Sequence, residues 1–211
     1  NIVPWQQLAK RTGAKIAALP INEHGVLKLD ESLAMITDLR PKVVAISHAS
    51  NALGNIQPIE QIIASAKQHN AFTLVDGAQS LLHLRPDVKA LGCDFFAFSA
   101  HKCLGPTGIG ALYGRYECLE LLEVFQCGGE MVQSVTIEQT EFNPPPSKFE
   151  TGTPNIAGVL GFGAAIDYLN RVDASLLQAH EQRLFTYLKQ RLEELDTLTL
   201  LGDLDNNIGT I

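Results

Sequence analysis

The chain has 211 residues, of which 45% are hydrophobic, so it is long enough to bury a core for one domain or for one domain and part of a second. Its 16 Lys and Arg residues are outnumbered by 23 Asp and Glu residues, which gives a net charge of -7. This acidic balance argues against a broad surface for nucleic acids or anionic membranes. The longest apolar region, 156–166, is far below the roughly 20 residues that span a bilayer.

The start of the chain and its cysteines indicate whether the chain is a fragment and in which compartment the protein lies. The sequence begins at Asn1 rather than at a methionine, and residues 1–8 lack the basic and then apolar pattern of a secretion signal. We therefore expect an internal fragment of a longer protein. The four cysteines form no C-x-x-C pair and nothing else suggests export, so we expect reduced thiols and a cytoplasmic location.

Helical and strand patterns alternate along the first half of the chain. In order, they predict a helix over 5–12, a strand over 15–19, a helix over 30–38 with Asp30 as its N-cap, a strand over 43–47, a helix that starts at Pro58 and a strand over 72–75. In the helix after Pro58, four apolar side chains share one face: Ile59, Ile62, Ile63 and Ala66.

The second half continues the alternation and then becomes helical. It predicts a short helix over 88–91, strands over 95–98 and 109–113, a long ordered loop over 123–147, helices over 154–170 and 175–195, and a strand over 198–201. Strands that alternate with helices are typical of a sheet covered by helices on both faces. We therefore predict a three-layer α/β/α fold with a mainly parallel sheet.

One lysine, Lys102, lies directly after an apolar strand and inside a glycine-rich turn. A lysine amine attacks an aldehyde only when burial or a cationic neighbour lowers its pKa, and the strand end and His101 supply both conditions. Most lysines in proteins are solvated, however, and Lys102 taken alone fits a solvated loop residue equally well.

A second apolar strand ends in a carboxylate, Asp76. Pyridoxal phosphate needs an anionic partner for its ring nitrogen and a lysine that holds it as a Schiff base, and Asp76 and Lys102 match these roles. In open α/β sheets, ligands bind beyond the carboxyl ends of the strands, where both residues are predicted to lie. The alternative is that Asp76 only caps the turn at Gly77.

Five motifs along the chain have a familiar order and spacing. They are Ser-His-Ala-Ser-Asn-Ala-Leu-Gly at 47–54, Val-Asp-Gly-Ala-Gln at 75–79, Ser-Ala-His-Lys at 99–102, Gly-Pro-Thr-Gly-Ile-Gly at 105–110 and Phe-Glu-Thr-Gly-Thr-Pro-Asn at 149–155. Together they resemble the motifs of the class V aminotransferases, which are fold-type-I pyridoxal-phosphate enzymes. Within that family the chain is most similar to the cysteine desulfurase and selenocysteine lyase branch, over essentially its whole length.

The resemblance assigns the cofactor pyridoxal 5'-phosphate to residues of this chain. Asp76 resembles the aspartate that pairs with the pyridine nitrogen, and Lys102 resembles the Schiff-base lysine. Gln79 resembles the residue that hydrogen-bonds the phenolic oxygen, while Ser99 and His101 resemble the phosphate contacts. The alternatives are an ordinary glutamine at a helix start and a histidine satisfied within the core.

Two further residues are implied at the site. Asn51 resembles the side chain that faces the substrate carboxylate or the cofactor ring oxygen, with a turn-forming asparagine as the alternative. Thr153 resembles the hydroxyl that reaches the cofactor phosphate of the neighbouring subunit, which implies a homodimer. Thr153 is also expected as the N-cap of a helix that begins at Pro154, and both roles are compatible.

The resemblance also implies the domain organisation and the activity of the parent protein. Residues 1–155 would belong to the large cofactor-binding domain, without its N-terminal part, and residues 156–211 to a connecting helix and the start of a smaller, truncated α+β domain. The parent would convert L-cysteine to L-alanine and pass the sulfur as a persulfide to an acceptor protein, in sulfur metabolism and iron–sulfur cluster assembly. Selenocysteine lyase, with L-selenocysteine as substrate, and kynureninase-like or aminotransferase-like activities are alternatives.

Parts of the family pattern are not found in this sequence. The family's catalytic cysteine lies in a loop of the C-terminal domain, and none of the four cysteines has that context; Cys127 stands where the family usually has a third glycine. We therefore expect the isolated chain to be inactive, with a non-catalytic fragment that binds no cofactor as the alternative. Zinc-protease, phosphate-loop and dinucleotide motifs do not occur, and we predict no metal site.

Overall fold

The computed structural model describes residues 2–210, which form eight α-helices and six β-strands. In chain order they are α1 Val3–Thr12, α2 Leu29–Leu39, β1 Val43–Ser47, α3 Ile59–Gln68, β2 Phe72–Asp76, α4 Ser80–Leu84, α5 Val88–Leu91, β3 Phe95–Ser99, β4 Gly110–Gly114, α6 Tyr116–Leu121, β5 Val132–Val135, β6 Thr140–Phe142, α7 Ile156–Arg171 and α8 Ala174–Glu193. Two short 3₁₀ helices are added at Ala100–Cys103 and Ser147–Phe149. Among these helices, none combines the length and the apolar character that crossing a membrane requires.

The main sheet has four strands in the order β1-β2-β3-β4. The first three run parallel, joined through α3 and through α4 with α5, because parallel neighbours need a crossover. Strand β4 runs antiparallel to β3, which a short connection allows. The α/β fold and the mainly parallel sheet are therefore confirmed.

The core of the sheet is covered by α3. The four apolar residues predicted to share one face of this helix are each at most 2% exposed, so the 3.6-residue pattern identified the buried face correctly. They pack with Val75 of β2 and Phe96 of β3, both fully buried. Strands β1, β2 and β3 lie where the apolar runs predicted them, because the side chains of those runs are buried in this core.

A smaller core lies beyond the end of β3. Ala100 and Cys103 are buried there against Phe162 and Ala165 of α7. The ring of Phe162 meets that of Phe98 edge-on, with centroids 6.1 Å apart. This second core anchors the segment that follows β3 to α7, a helix more than 50 residues later in the chain.

Several predicted elements are wrong. Residues 15–19 and 198–201 form no strand, because an apolar run becomes a strand only where a neighbouring strand offers hydrogen bonds. The predicted loop over 123–147 contains the antiparallel hairpin of β5 and β6. Helix α2 begins at Leu29 with Lys28 as its N-cap rather than Asp30, and α7 begins two residues after Pro154. The division of the chain at residues 155 and 156 stays a prediction.

Candidate active site

Lys102 lies in a closed turn that follows β3. This lysine turn (residues 100–109) begins after Ser99, the last residue of β3, which pairs with Gly110 of β4. The amide of Ala100 donates to the carbonyl of Ile109 at 3.0 Å and closes the turn across its base. The side chain of Lys102 is half-buried, and the described residues 2–210 give it no ion pair, so its amine is not engaged by an internal partner.

His101 precedes Lys102 in the same turn and is exposed. A histidine satisfied within the core is therefore the wrong interpretation, because that reading requires burial. Ser99 is half-buried at the strand end. A hydroxyl on a half-buried residue and an exposed imidazole are groups that can donate hydrogen bonds to an anion.

Asp76 ends β2 beside the segment that leads to Lys102. In the parallel sheet Asp76 pairs with Ala97 of β3, two residues before Ser99. Its Oδ1 accepts a hydrogen bond from the amide of Ala78 at 3.1 Å, so the carboxylate does cap its own turn. Within residues 2–210 its Oδ2 accepts no hydrogen bond, which leaves that oxygen for a ligand.

Gln79 is half-buried and immediately precedes α4. Helix α4 contacts the 3₁₀ helix that carries Lys102. The main chain thus brings the start of α4 to the same edge of the sheet as the lysine turn. Gln79 occupies the N-cap position of α4 without a side-chain cap hydrogen bond, so the alternative of an ordinary glutamine at a helix start stays open beside the cofactor role.

Asn51 lies in a tight turn beyond the end of β1, the Asn51 turn (residues 50–55). The hydroxyl of Ser50 accepts from the amides of Ala52 and Leu53, and the amide of Gly54 donates to the carbonyl of Ser50. The turn begins two residues after His48, whose amide donates to the carbonyl of Asp76 at 3.0 Å. The exposed side chain of Asn51 therefore stands at the same sheet edge as Asp76.

Thr153 is exposed and precedes α7. Its expected role as N-cap is wrong: Asn155 caps α7, and its Oδ1 accepts from the amide of Gly158 at 3.0 Å. Helix α7 meets the lysine turn through Phe162, about 9 Å along the helix from its first residue. Within the described part of the chain no hydrogen bond joins Thr153 to the lysine turn.

The three buried thiols give no nucleophile near Lys102. Cys103, its neighbour in sequence, is 1% exposed and belongs to the second core, and burial raises the pKa of its thiol. Burial also raises the pKa of the Cys93 and Cys118 thiols. Cys127 is exposed, and all four cysteines are free.

The residues at this edge fit pyridoxal phosphate by their chemistry. An amine, a carboxylate with a free oxygen, a hydroxyl, an imidazole and two amides follow three neighbouring strand ends. These groups match the aldehyde, ring nitrogen, phosphate and phenolic oxygen of the cofactor. Among residues 2–210, no group of three or more His, Cys, Asp or Glu side chains is placed to hold a metal ion.

The sequence analysis missed one residue close to the site, Asn55. It is fully buried, and its amide binds the carbonyl of His24 and the amide of Asp203. These partners lie 31 and 148 residues away in the sequence, so no local pattern could reveal them. In the sequence, Asn55 is an asparagine that follows Gly54, which indicates a turn and no more.

Comparisons with known proteins agree with this geometry. The sequence model of the family described as aminotransferase class-V matches residues 1–211. A probable cysteine desulfurase of Halalkalibacterium halodurans is 48% identical over 202 residues, which are 96% of this chain and 50% of that protein. A cysteine desulfurase of Synechococcus elongatus is 45% identical over 202 residues, covering 96% of this chain and 32% of that protein.

A solved structure of a cysteine desulfurase also matches this chain. The apo structure of cysteine desulfurase from Thermococcus onnurineus superimposes with a TM-score of 0.93 at 36% sequence identity, over 99% of this chain and 52% of that one. The chain spans about half the length of the Halalkalibacterium and Thermococcus proteins and about a third of the Synechococcus protein. Because the family model covers every residue, the chain belongs to the aminotransferase class-V family.

Proposed function

We propose that the parent protein is a pyridoxal-phosphate-dependent cysteine desulfurase and that this chain supplies most of its cofactor site. The observation that supports this most directly is the pairing of Asp76 with Ala97, which sets the carboxylate beside the strand that leads into the lysine turn. A free carboxylate oxygen and an unengaged amine at one sheet edge are the two groups that this cofactor requires. The names of the relatives support the choice of L-cysteine as substrate.

The bound cofactor supplies an electron sink for charge that develops on the substrate. Asp76 would pair with the ring nitrogen and keep it protonated, and Gln79 would donate its side-chain amide to the phenolic oxygen. Ser99 and His101 would hold the phosphate. Lys102 would hold the cofactor through its amine and, once free, would carry protons to and from the substrate.

The sulfur step needs a thiolate that the three buried cysteines do not supply, and Cys127 lacks the sequence context of the family's catalytic cysteine. Cys93, Cys103 and Cys118 are buried with raised pKa values, which disfavours the reactive thiolate. We assign the attack on the substrate sulfur to a cysteine in the part of the protein outside this chain. The resulting persulfide is passed to an acceptor protein in the cytoplasm, and L-alanine is released.

Thr153 connects the proposal to a homodimer. Its hydroxyl is exposed at the start of α7 and is not used as the helix cap, which Asn155 provides. We assign Thr153 to the cofactor phosphate of a second copy. In the full-length protein, Thr153→Ala should weaken cofactor binding about fivefold, the effect of one lost hydrogen bond, and sedimentation should show a dimer before and after the change.

The cofactor assignment is tested by trapping. The chain is incubated with pyridoxal phosphate, its absorbance is recorded, borohydride is added and peptides are mapped by mass spectrometry. We expect a new near-visible band and a label on Lys102. Lys102→Ala should abolish both, whereas Lys89→Ala, a change of an exposed lysine on α5, should leave both intact.

Trapping in the full-length protein and in the isolated chain distinguishes an error in the assignment of Lys102 from a loss of binding in the isolated chain. If the full-length protein is labelled at a different lysine, the assignment of Lys102 is wrong. If the full-length protein is labelled at Lys102 but the isolated chain is not, this chain does not bind the cofactor by itself. Alanine released from L-cysteine by the full-length protein tests the desulfurase activity, and a higher kcat/KM for L-selenocysteine would favour a selenocysteine lyase instead.

A further inference from the structure

The Asn51 turn is covered by a segment from the end of the chain. We call this segment the strap (residues 203–210). It pairs with the turn in the manner of an antiparallel bridge between Asn55 and Asn207. The amide of Ile208 donates to the carbonyl of Gly54 at 3.0 Å, and the amide of Ile56 donates to the carbonyl of Asn206 at 3.1 Å.

Two asparagine side chains reinforce this contact. Asn207 donates through Nδ2 to the carbonyl of Leu53 at 2.7 Å, and its Oδ1 accepts from the amides of Gly209 and Thr210. Asn55 accepts through Oδ1 from the amide of Asp203 at 2.7 Å. Both polar atoms of the Asn207 amide and the oxygen of the Asn55 amide are thereby hydrogen-bonded at the contact, which offsets the cost of removing them from water.

Asn55 also reaches a third segment. Its Nδ2 donates to the carbonyl of His24 at 2.5 Å. Gln57 strengthens the same contact, because its side-chain amide donates to Gly25 and its oxygen accepts from the amide of Leu27. The fully buried amide of Asn55 therefore joins the Asn51 turn, the segment before α2 and the strap.

The strap packs so closely on the Asn51 turn that a side chain at position 54 would clash with it. Gly54 has a φ of +70°, and a Cβ on it would lie 2.0 Å from Oδ1 of Asn207. The contact thus requires a glycine at 54 both for its backbone conformation and for the space that Asn207 occupies. Asn51 itself is exposed, and within residues 2–210 its side chain makes no hydrogen bond, so its position follows from that of the turn that the strap covers.

We propose that Asn55 and the strap are positioning elements that hold Asn51 against the cofactor and substrate, and so couple the C-terminal part of the chain to the reaction. The inference rests on the proposed function, because it requires that Asn51 contacts the ligand. A displacement of about 1 Å is enough to weaken such a contact severely. Loss of Asn55 or Asn207 should therefore imitate, in weaker form, the loss of Asn51.

The test uses the full-length protein and five variants: Asn51→Ala, Asn55→Ala, Asn207→Ala, Gly54→Ala and the double variant Gly54→Ala with Asn207→Ala. Measured are the KM and kcat for L-cysteine, the dissociation constant of pyridoxal phosphate and the absorbance maximum of the bound cofactor. The matched control is Thr73→Val, which removes a buried hydrogen bond at the opposite end of β2. It should lower stability without changing these four quantities.

We expect Asn51→Ala to raise the KM or the cofactor dissociation constant about tenfold, and Asn55→Ala and Asn207→Ala to raise the same quantity about fivefold. Of the variants that disturb the contact between turn and strap, Gly54→Ala should be the most severe, and removal of the Asn207 side chain should partly restore its activity. The absorbance maximum should shift in the same direction for Asn51→Ala and Asn55→Ala. The Asn207 variants keep the test decisive if Asn55→Ala fails to fold, because Asn207 is only half-buried.

The measurements distinguish a failure of the proposed role of Asn51 from a failure of the strap inference. If Asn51→Ala changes none of the quantities, the proposed role of Asn51 falls, and the strap inference falls with it. If Asn51→Ala has its effect but the strap variants change no more than Thr73→Val does, the strap inference alone is overturned. If all variants act in proportion to their loss of stability, the strap has only a structural role.

Discussion

The ring of Phe96 lies against the backbone of Gly77 so closely that a Cβ on Gly77 would be 1.9 Å from the ring Cζ. Phe96 is fully buried on β3, and Gly77 follows Asp76 at the end of β2. The amide of Gly77 donates to the carbonyl of Ala97 at 2.8 Å, which holds the two strands together at this point. The position of the Asp76 carboxylate therefore depends on a glycine that makes room for an aromatic ring.

Gly77→Ala should both destabilise the protein and weaken cofactor binding. The added methyl group must displace the ring or the backbone, and overpacking of this kind costs about 1–3 kcal/mol or more. Urea unfolding and titration with pyridoxal phosphate measure the two effects. The control is Gly163→Ala on α7, where a Cβ meets no atom within 4 Å; it should stabilise by about 0.5–1 kcal/mol. An unchanged midpoint for Gly77→Ala would contradict the packing argument.

A buried carboxylate joins β2 to β3 at the edge away from the site. Asp94 is 5% exposed, and its Oδ2 accepts from the amide and the hydroxyl of Thr73 at 2.8 and 2.9 Å. Thr73→Val leaves the amide of Asp94 without its acceptor, so we expect a loss of about 1–3 kcal/mol in the free energy of unfolding. Cofactor affinity should not change. Ser134→Ala, which removes an exposed hydrogen bond to Glu141, should be nearly neutral in the same urea titration.

Thiol labelling should distinguish the four cysteines. Cys127 is exposed, whereas Cys93, Cys103 and Cys118 are buried with raised thiol pKa values, and alkylation requires an accessible thiolate. Brief iodoacetamide treatment of the native protein should therefore modify Cys127, and urea should expose the other three. Peptide mass spectrometry measures both states. Rapid native labelling of Cys103 would contradict the second core around the lysine turn.

His48 should make the protein less stable in weak acid. It is 9% exposed, its Nδ1 has no hydrogen-bond partner among residues 2–210, and burial lowers its pKa below the usual 6.5. The unfolded state therefore binds more protons than the folded state below pH 6.5, so stability is complete above that pH and falls as the pH drops toward the lowered pKa. Urea midpoints across this range measure the effect. His48→Gln should flatten the dependence, and His24→Gln, a change of an exposed residue, should leave it as it was.

The sequence predicted the parts of the site that rest on local patterns. Asp76 and Lys102 follow apolar strands whose burial and parallel pairing the structure confirms, because such runs find their place in a buried sheet. The strand expected over 15–19 failed, since strand propensity does not supply a pairing partner. The N-cap of α7 was predicted at Thr153 but is Asn155, two residues later. Local composition does not determine which of two neighbouring polar residues caps a helix.

The contact between Asn55 and the strap was beyond reach for a different reason. Nothing in the neighbourhood of Asn55 in sequence indicates that its partner lies at Asp203, because the pairing is decided by the packing of the whole chain. The hairpin of β5 and β6 was missed because its strands are short and its tip exposes Ile137 completely. Apolar periodicity cannot identify an element that buries so little.

The long separation within this contact has a consequence during synthesis. A chain leaves the ribosome from its N-terminus, so Asn55 emerges 148 residues before Asp203 can meet it. At about 5–20 residues per second, that interval lasts roughly 7–30 s. The hydrogen bond that closes the base of the lysine turn joins Ala100 and Ile109, which emerge almost together. In a nascent chain this bond can therefore form well before the strap reaches the Asn51 turn.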